Sequence, residues 1–241
     1  MFSADDHRYM AHALQLAARG LYTTTPNPRV GCVIVKHNQI VGEGWHQRAG
    51  TAHAEIHALQ MAGDAARNAT VYITLEPCSH HGRTPPCVEA LIQAGVARVV
   101  AAMTDPNPLV AGRGIQALTQ AGIQSETGLM ETDARALNPG FISRMTRGRP
   151  WVRLKTAATL DGKTALANGL SQWITGEAAR ADVQKLRARA CAILTGSGTV
   201  LADDPRMTVR HFDIGRQPLR VIVDSNLLTP PSAAILPALL V

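Results

Sequence analysis

Short apolar segments of strand length alternate along this 241-residue sequence with segments of helical periodicity. Such alternation favours a layered α/β domain with a largely buried sheet. Gly20 and Gly122 stand where predicted helices end. The predicted helices cover residues 5–20, capped by Asp5 or Asp6, 54–62, 88–95 and 111–121, and the predicted strands cover 31–35, 40–45, 71–75 and 97–103.

A segment rich in Pro, Gly and Arg, residues 136–151, interrupts this alternation and predicts a domain boundary near residue 147. We therefore expect one domain over residues 1–146 and a second over 147–241. The last residues of the second part complete no further element, so we expect it to be the first portion of a larger α/β domain. Its predicted elements are strands at 151–158, 191–196 and 219–225 and a helix at 177–190.

The composition is typical of a globular protein. Hydrophobic residues make up 46% of the chain and charged residues 17%, which excludes a disordered chain. Aromatic residues make up only 4%, which argues against stacking platforms for single-stranded nucleic acid. No apolar run approaches the ~20 residues of a membrane helix, and the polar N-terminus lacks the features of a secretory signal. The sequence thus predicts a cytoplasmic protein without nucleic-acid or membrane partners.

The net charge of +6 lies entirely in residues 146–241, because residues 1–145 carry equal numbers of basic and acidic side chains. A basic segment can attract phosphates, either on a small ligand or on nucleic acid. Alternatively, an acidic segment that would balance it is absent from this chain. Charge alone does not decide between the two interpretations.

The motif H-A-E at residues 53–55, followed by E-P-C at 76–78, carries the clearest chemical signal. Thiolates and an imidazole together favour zinc over harder cations, and a catalytic zinc has three protein ligands and a position for water. The three candidate ligands are His53, Cys78 and Cys87. Zinc lowers the pKa of water to about 7. Glu55 can take the proton of that water and pass it to a leaving amine.

An H-x-E motif followed by P-C and a second cysteine is typical of zinc nucleobase deaminases. Here eight residues separate Cys78 from Cys87, instead of two. The alternatives are a structural zinc site or two ordinary buried cysteines. A structural site usually has four protein ligands and has no use for Glu55. Cys32 and Cys191 lie in apolar strand patterns, and we expect both to be buried free thiols.

The chain resembles one known family along nearly its whole length. The first part carries the segments TPNPRVGCVIV (25–35), HAEIHAL (53–59), TLEPCSHHGRTPPC (74–87) and DPNPLVAGRG (105–114). The second part carries LKTAATLDGKTA (154–165), SQWIT (171–175), ILTGSGTVLADDP (193–205) and VIVDS (221–225). Together they identify the chain as similar to the bifunctional riboflavin-biosynthesis deaminase/reductase family.

The resemblance implies a cytidine-deaminase-like three-layer domain followed by the first part of a dihydrofolate-reductase-like α/β domain. In that family the first domain uses Zn²⁺ to deaminate 2,5-diamino-6-ribosylamino-4(3H)-pyrimidinone 5′-phosphate. The product is 5-amino-6-(5-phosphoribosylamino)uracil, whose ribosyl group the second domain reduces to ribityl with NADPH. The resemblance also implies a homo-oligomer.

For the first domain, the resemblance supports the zinc ligands named above and Glu55 as the proton carrier. It further implies a set of substrate-binding residues, namely Asn27, His46, Arg83, Asp105 and Asn107. Asn and Asp side chains can bind the donor and acceptor edges of a pyrimidinone, and Arg83 and His46 can bind a phosphate. From the residues alone, Asn27, Asp105 and Asn107 are typical of turns, since all three stand beside prolines.

For the second domain, the resemblance implies cofactor contacts at Ala157, Trp173, Thr199, Asp203 and Ser225. It implies reductase-substrate contacts at Ser171, Arg187, Met207 and Arg210. The two arginines suit a ribose phosphate, although Arg187 also fits a solvated helix face. Because the family's reductase domain continues beyond residue 241, we expect a complete deaminase domain here and an incomplete, C-terminally truncated reductase with impaired NADPH binding.

Two other functions stay open at this point. One is a zinc deaminase that acts on a free nucleoside or on tRNA, for which binding to RNA would weaken steeply with salt. The other is a non-catalytic zinc module, for which Glu55 would be dispensable.

Overall fold

The computed structural model describes residues 1–79, 86–108, 110–211 and 214–236. The chain divides into two compact units, Met1–Val152 and Arg153–Val241. The domain boundary expected between residues 146 and 147 stays a prediction.

A five-stranded mixed sheet forms the centre of the first unit. Its strands are β1 (Gly31–Lys36), β2 (Gln39–Trp45), β3 (Thr70–Ile73), β4 (Arg98–Ala101) and β5 (Gln124–Thr127). Their order in the sheet is β2-β1-β3-β4-β5. β1 is antiparallel to β2 and β3, whereas β3, β4 and β5 run parallel.

Helices cover both faces of this sheet. The described helices are α1 (Ala4–Arg19), α2 (Ala54–Ala62), α3 (Cys87–Ala94), α4 (Arg113–Gln120), α5 (Glu131–Leu137) and α6 (Pro139–Arg147). α2, α3 and α4 share one buried core with Ile34 and Ile73, whereas α1, α5 and α6 pack on the other face with Val33 and Tyr72. Adjacent β1 residues thus face opposite layers, as in any strand. The predicted three-layer α/β architecture is confirmed.

The beginning of α1 differs from the sequence prediction. Ser3, rather than Asp5 or Asp6, is the N-cap residue. The Ser3 hydroxyl accepts a hydrogen bond from the Asp6 amide (3.1 Å), and the Asp6 carboxylate accepts one from the Ser3 amide (2.8 Å). This reciprocal capping box satisfies two amides that would otherwise lack helical partners.

The segment 136–151, in which the sequence predicted no helix, is partly helical. It contains α6, which has Pro139 at its first position and ends at Gly148 with a φ of +63°. Proline at the start and glycine after the end are favourable helix signals. β5 also escaped prediction, because its sequence QSET lacks the apolar pattern that marks a strand.

The second unit contains a smaller sheet of two parallel strands. Its elements are α7 (Glu177–Arg189), β6 (Ala192–Gly196), α8 (Ser197–Asp203) and β7 (Leu219–Val223), with β6 paired to β7. Several apolar strand side chains are largely exposed, including Leu194 at 67% and Leu219 at 72%. Helices of the described residues all fall short of the length and apolar character that a transmembrane helix needs.

Two predictions for the second unit were wrong. Residues 151–158 form no strand, and most of that segment is exposed without a neighbouring strand to complete its hydrogen bonds. Cys191 is an exposed thiol, because it precedes β6 on this open sheet, whereas Cys32 is buried as expected. All four cysteines are free.

A buried ionic network links α1 to three strands of the first unit. The Asp6 carboxylate, 5% exposed, accepts hydrogen bonds from the Tyr72 hydroxyl and from the Arg98 guanidinium, both at 2.7 Å. Arg98 also pairs with Glu126 at 2.7 Å. Burial opposes ionisation of Asp6, but the hydrogen bonds from Arg98, Ser3 and Tyr72 outweigh it and hold its pKa well below the usual range.

We expect Asp6→Asn to lower the free energy of unfolding at neutral pH by about 3 kcal/mol, because it removes one charge of a buried pair. The folded pKa of Asp6 is depressed, so its contribution is complete above the unfolded value of 3.8 and is lost as the pH falls below it. Urea unfolding of both proteins across this range measures the difference, which should narrow in acid. A difference that does not change with pH would contradict this assignment.

Candidate metal centre and active site

The sheet topology brings the predicted site residues to one edge. Gly31 at the start of β1 pairs with Trp45 at the end of β2, and Cys32 pairs with Ile73 at the end of β3. Ile73 in turn pairs with Ala101 at the end of β4. The segments that precede β1 and follow β2, β3 and β4 therefore emerge side by side. These segments carry all the described residues that were predicted for the deaminase site.

Three metal-ligating side chains converge at this edge. The Nδ1 atom of His53 lies 3.2 Å from the Cys87 sulfur and 3.6 Å from the Cys78 sulfur. The three candidate ligand atoms all lie within 4.8 Å of one another. His53 is the N-cap residue of α2 and Cys87 is the first residue of α3, so the two helix starts face each other.

Cys78 is fixed by the first turn of α3. Its sulfur accepts a hydrogen bond from the Cys87 amide at 3.3 Å, and its carbonyl oxygen accepts one from the Val88 amide at 3.2 Å. Amides in the first turn of a helix have no helical partner and favour a negative charge. The pKa of the Cys78 thiol lies below its usual range, because hydrogen bonds from Cys87 and His53 outweigh its burial.

This donor set fits a zinc ion. Zinc at its usual distances of ~2.1 Å from nitrogen and ~2.3 Å from sulfur places tetrahedral ligand atoms about 3.5 Å apart, close to the separations found here. Two thiols and an imidazole are also the soft donors that select zinc over magnesium or calcium. Among the described residues, His53, Cys78 and Cys87 would hold the metal.

Glu55 lies beside the cluster, in the first turn of α2. It is 3% exposed, and it lines the same cavity as His53 and Cys78. Burial raises the pKa of Glu55 to about 7, although hydrogen bonding by Cys87 acts in the opposite direction. A buried carboxyl beside a metal cluster is suited to carrying a proton.

Two glycines of β2 let α2 approach the sheet closely. A Cβ atom added at Gly44 would lie 2.6 Å from the Ala54 carbonyl oxygen, and one at Gly42 would lie 2.2 Å from the Ala58 carbonyl oxygen. Real Cβ contacts are longer than 3.0 Å, so no other residue fits at these positions. This contact fixes the helix that carries both His53 and Glu55.

His46 and Asn27 form a hydrogen-bonded pair in the cavity wall. The Nδ1 atom of His46 lies 3.1 Å from the Ala52 carbonyl oxygen, which can only accept, so Nδ1 carries the proton. The Nε2 atom then accepts from the Asn27 side-chain amide at 3.1 Å. Burial lowers the pKa of His46, which is 3% exposed. His46 is therefore neutral, and both of its ring nitrogens are already hydrogen-bonded. This state suits a structural role in the cavity wall better than the binding of a phosphate.

The cavity has a volume of about 250 Å³ and brings most of the predicted residues together. Arg83 lies outside the described residues. Sequence reasoning missed the apolar walls and one acid, which are Pro28, Val30, Leu75, Glu76, Val110 and Phe141. Phe141 comes from α6, the segment that had been interpreted as a boundary. The predicted residues that line the cavity are Asn27, His46, His53, Glu55, Cys78, Asp105 and Asn107.

A second depression, more open and about 450 Å³ in volume, lies elsewhere on the first unit. It contains no thiol or carboxylate, so it is not the metal centre. Its lining residues are Arg19, Thr23, Trp45, Gln47, Arg48 and Thr51.

In the second unit, three of the predicted reductase-substrate residues lie together. Arg187 donates to the Thr208 carbonyl oxygen at 3.1 Å and contacts the Met207 sulfur at 3.7 Å. Burial, and then the nearby charge of Arg210, lower the pKa of Arg187. A cationic pair of this kind attracts an anion. Ser171, the fourth residue, lies in the irregular segment before α7.

The predicted cofactor residues lie on several segments of the second unit. Thr199 and Asp203 belong to α8, which directly follows β6, and Ser225 follows β7. Because β6 and β7 are parallel, these positions lie at the same edge of the sheet, where α/β sheets commonly bind nucleotides. Ala157 and Trp173 lie in segments without regular structure, and the Trp173 ring packs against the Arg180 guanidinium at 4.4 Å.

Comparison with known proteins agrees with this site. Residues 3–103 match the cytidine and deoxycytidylate deaminase zinc-binding region, which defines the first unit as a zinc deaminase domain by class. Residues 150–239 match the RibD C-terminal domain. The chain belongs to the RibD family of riboflavin-biosynthesis proteins.

Relatives of the family align with the chain over most of its length. The riboflavin biosynthesis protein RibD of Escherichia coli is 60% identical over 238 residues, which cover 93% of this chain and 65% of that protein. The solved structure of Acinetobacter baumannii RibD, form 2, has a TM-score of 0.93 at 53% identity, covering 97% of this chain and 67% of that one.

The chain is also similar to a deaminase/reductase of known structure from Thermotoga maritima. The TM-score is 0.90 at 41% identity, with 96% of this chain and 66% of that chain covered. That protein is described as a diaminohydroxyphosphoribosylaminopyrimidine deaminase and 5-amino-6-(5-phosphoribosylamino)uracil reductase. The chain spans just under two thirds of the length of the first curated relatives that it matches.

We expect His53→Ala to weaken zinc binding by more than about 100-fold, because even the loss of a residue that merely orients a ligand costs up to that factor. Cys191→Ser is the matched control, since it removes an exposed thiol outside the cluster and should leave the zinc content unchanged. Zinc per chain after dialysis, measured by atomic emission, compares the three proteins. Equal zinc in His53→Ala and the parent would remove His53 from the ligand set.

Proposed function

We propose that the first unit is a zinc-dependent deaminase of riboflavin biosynthesis. Its substrate is 2,5-diamino-6-ribosylamino-4(3H)-pyrimidinone 5′-phosphate, which loses its ring amine to give 5-amino-6-(5-phosphoribosylamino)uracil. The observation that carries the proposal is the placement of a buried carboxyl, Glu55, in one cavity with a three-donor zinc cluster. The Thermotoga relative, named for this pair of compounds, supports the choice of substrate.

Glu55 moves the proton in this reaction. Zinc, when bound, supplies the Lewis acidity that makes water a nucleophile at neutral pH. Glu55 takes a proton from the attacking water and delivers it to the departing amine. The new bond joins oxygen to the ring carbon, the bond from that carbon to nitrogen breaks, and ammonia leaves. The burial of Glu55 keeps bulk water away from this transfer.

The remaining cavity residues bind and orient the pyrimidinone. Asn27, Asp105 and Asn107 offer amide and carboxylate groups for the polar edge of the ring. Phe141 and Val110 offer apolar surface for its faces and exclude water. Arg83 is the proposed phosphate ligand, a role that rests on the resemblance alone.

The second unit corresponds to the reductase domain of the family, and we expect NADPH binding to be impaired in this chain. NADPH would bind at the carboxyl ends of β6 and β7, where Thr199, Asp203 and Ser225 fit a nucleotide site by position. NADPH supplies a hydride for reduction of the ribosyl group. Arg187 and Arg210 would bind the substrate phosphate, and Ser171 and Met207 would complete that pocket. Ala157 and Trp173 are the other proposed cofactor contacts.

The partners follow from these assignments. The ligands are a small pyrimidine ribosyl phosphate, zinc and NADPH, and neither nucleic acid nor a membrane is needed. Four free thiols suit the reducing cytoplasm, where we place the protein. Homo-oligomer formation stays a prediction.

We expect Glu55→Gln to keep its zinc and lower the rate of ammonia release by about 10²–10⁴-fold, the usual contribution of general acid–base catalysis. Glu43→Gln is the matched control, since it makes the same chemical change on β2, where Glu43 pairs with His12 outside the cavity. Steady-state ammonia release by zinc-loaded protein is the measurement. Near-parental turnover in Glu55→Gln would contradict the mechanism and favour a structural zinc module.

NADPH absorbance, followed in the same cuvette, tests the second unit. Oxidation of NADPH together with ammonia release would support both reactions in this chain, whereas ammonia release alone would restrict it to deamination. No ammonia release from folded, zinc-containing protein would contradict the proposed substrate. Deamination of a nucleoside or of tRNA, with RNA binding that weakens steeply with salt, would support the alternative function instead.

A further inference from the structure

Glu76 is a buried acid that the proposed chemistry does not use. It follows β3, two residues before the zinc ligand Cys78, and is 3% exposed. Its carboxylate accepts hydrogen bonds from four backbone amides. A buried carboxylate and the backbone amides that bind it have both lost their hydrogen bonds to water. Separating them would leave both without partners at a cost in free energy, so the hydrogen bonds hold the two groups in a defined geometry.

The two oxygens of Glu76 bind different parts of the next loop. The Oε2 atom accepts from the Asp105 amide at 2.9 Å and from the Gly112 amide at 3.0 Å. One oxygen therefore joins the backbone at Asp105 to the backbone at Gly112. The Oε1 atom accepts from the Gly114 and Ile115 amides, at 2.8 and 3.2 Å, in the first turn of α4.

Close backbone packing strengthens this connection. A Cβ atom added at Gly114 would lie 2.2 Å from the Pro77 carbonyl oxygen and 3.1 Å from Glu76 Oε1. Only glycine permits this approach, so the start of α4 lies directly against the segment that leads to Cys78. The negative charge of Glu76 also lies at the positive end of α4, which is a favourable arrangement.

The loop that Glu76 closes carries two of the proposed substrate contacts. Asp105 and Asn107 both line the cavity, and the Asp105 carboxylate accepts a hydrogen bond from the Asn107 amide at 2.8 Å. The position of Asn107 therefore depends on Asp105, and the position of Asp105 depends on Glu76. Displacement of this loop would move both polar side chains relative to Cys78.

We propose that Glu76 is a positioning residue that fixes the described residues of the substrate-contacting loop, 105–108 and 110–112, against the zinc-ligand segment 76–78. This inference rests on the proposed function, because that function gives Asp105 and Asn107 their role in substrate binding. The attachment of the loop to Glu76 does not depend on the proposed function. Glu76 sets where the substrate lies relative to the metal centre. It neither ligates the metal nor transfers a proton.

The test is Glu76→Gln, which keeps the shape of the side chain but replaces one accepting oxygen with an NH₂ group. We expect the KM for the pyrimidinone phosphate to rise about tenfold or more, the factor that corresponds to one lost net hydrogen bond. We expect kcat to change less than about threefold and the zinc content to stay the same. Hydrogen exchange should accelerate at the amides that Glu76 binds and not at those of β3 and β4.

Asp6→Asn is the matched control. It also neutralises a buried carboxylate that accepts several hydrogen bonds, but it does so on the α1 face of the sheet. It should lower the stability without changing the KM or the exchange of the amides at 105, 112, 114 and 115. If the control changes them equally, Glu76 has only a general stabilising role and the proposal is wrong.

Other outcomes separate this inference from the proposed function. An unchanged KM with unchanged amide exchange, or loss of zinc from Glu76→Gln, would overturn the positioning role. If the native chain releases no ammonia, the proposed function fails, while exchange at the four amides still tests the attachment. If Glu76→Gln does not fold, the KM and the amide exchange are measured on Glu76→Asp instead, and amide exchange is also measured on the native protein. In the native protein the four amides should exchange as one group, and independent exchange would overturn the proposal.

Discussion

The close approach of α2 to β2 is the constraint on which the metal centre depends. Gly42 and Gly44 leave no room for a side chain between strand and helix, so the start of α2 has a fixed position over the sheet edge. His53 and Glu55 occupy that start. The opposing start of α3 supplies Cys87 and holds Cys78 through its first amides. A zinc site needs ligand atoms fixed to within tenths of an ångström, and backbone contacts between rigid elements provide that precision.

Two buried carboxylates stabilise the first unit in different ways. Asp6 pairs with Arg98 and Tyr72 and links α1 to the strands, so its contribution is the stability of the fold. Glu76 binds backbone amides at the functional edge, so its contribution is the placement of a loop. Each acid is buried because its charge is fully compensated, one by a cation and the other by amide dipoles. Glu55, in contrast, is buried in the cavity beside the metal ligands His53 and Cys78, a position that suits a residue that carries a proton.

Local signals in the sequence predicted much of the first unit. The period of the apolar residues predicted α2 with its observed bounds and β1 to within one residue, because both elements pack against a core. β5 was not predicted because it is polar, and α6 was not predicted because the prolines and glycines around it were interpreted as a domain boundary rather than as helix-end signals. The strand expected at 151–158 failed for the opposite reason: an apolar, β-prone segment forms a strand only beside another strand.

By itself, the sequence determined the chemistry of the protein: an imidazole, two thiols and a nearby carboxylate, with the H-x-E and P-C motifs of a zinc deaminase and a family resemblance along nearly the whole chain. Only the tertiary structure decided how these groups are held. It revealed the four amides on Glu76, the His46–Asn27 pair and the contribution of Phe141 to the cavity wall. These contacts join residues far apart in the chain, and backbone amides carry no side-chain signature. No local pattern in the sequence could therefore predict them.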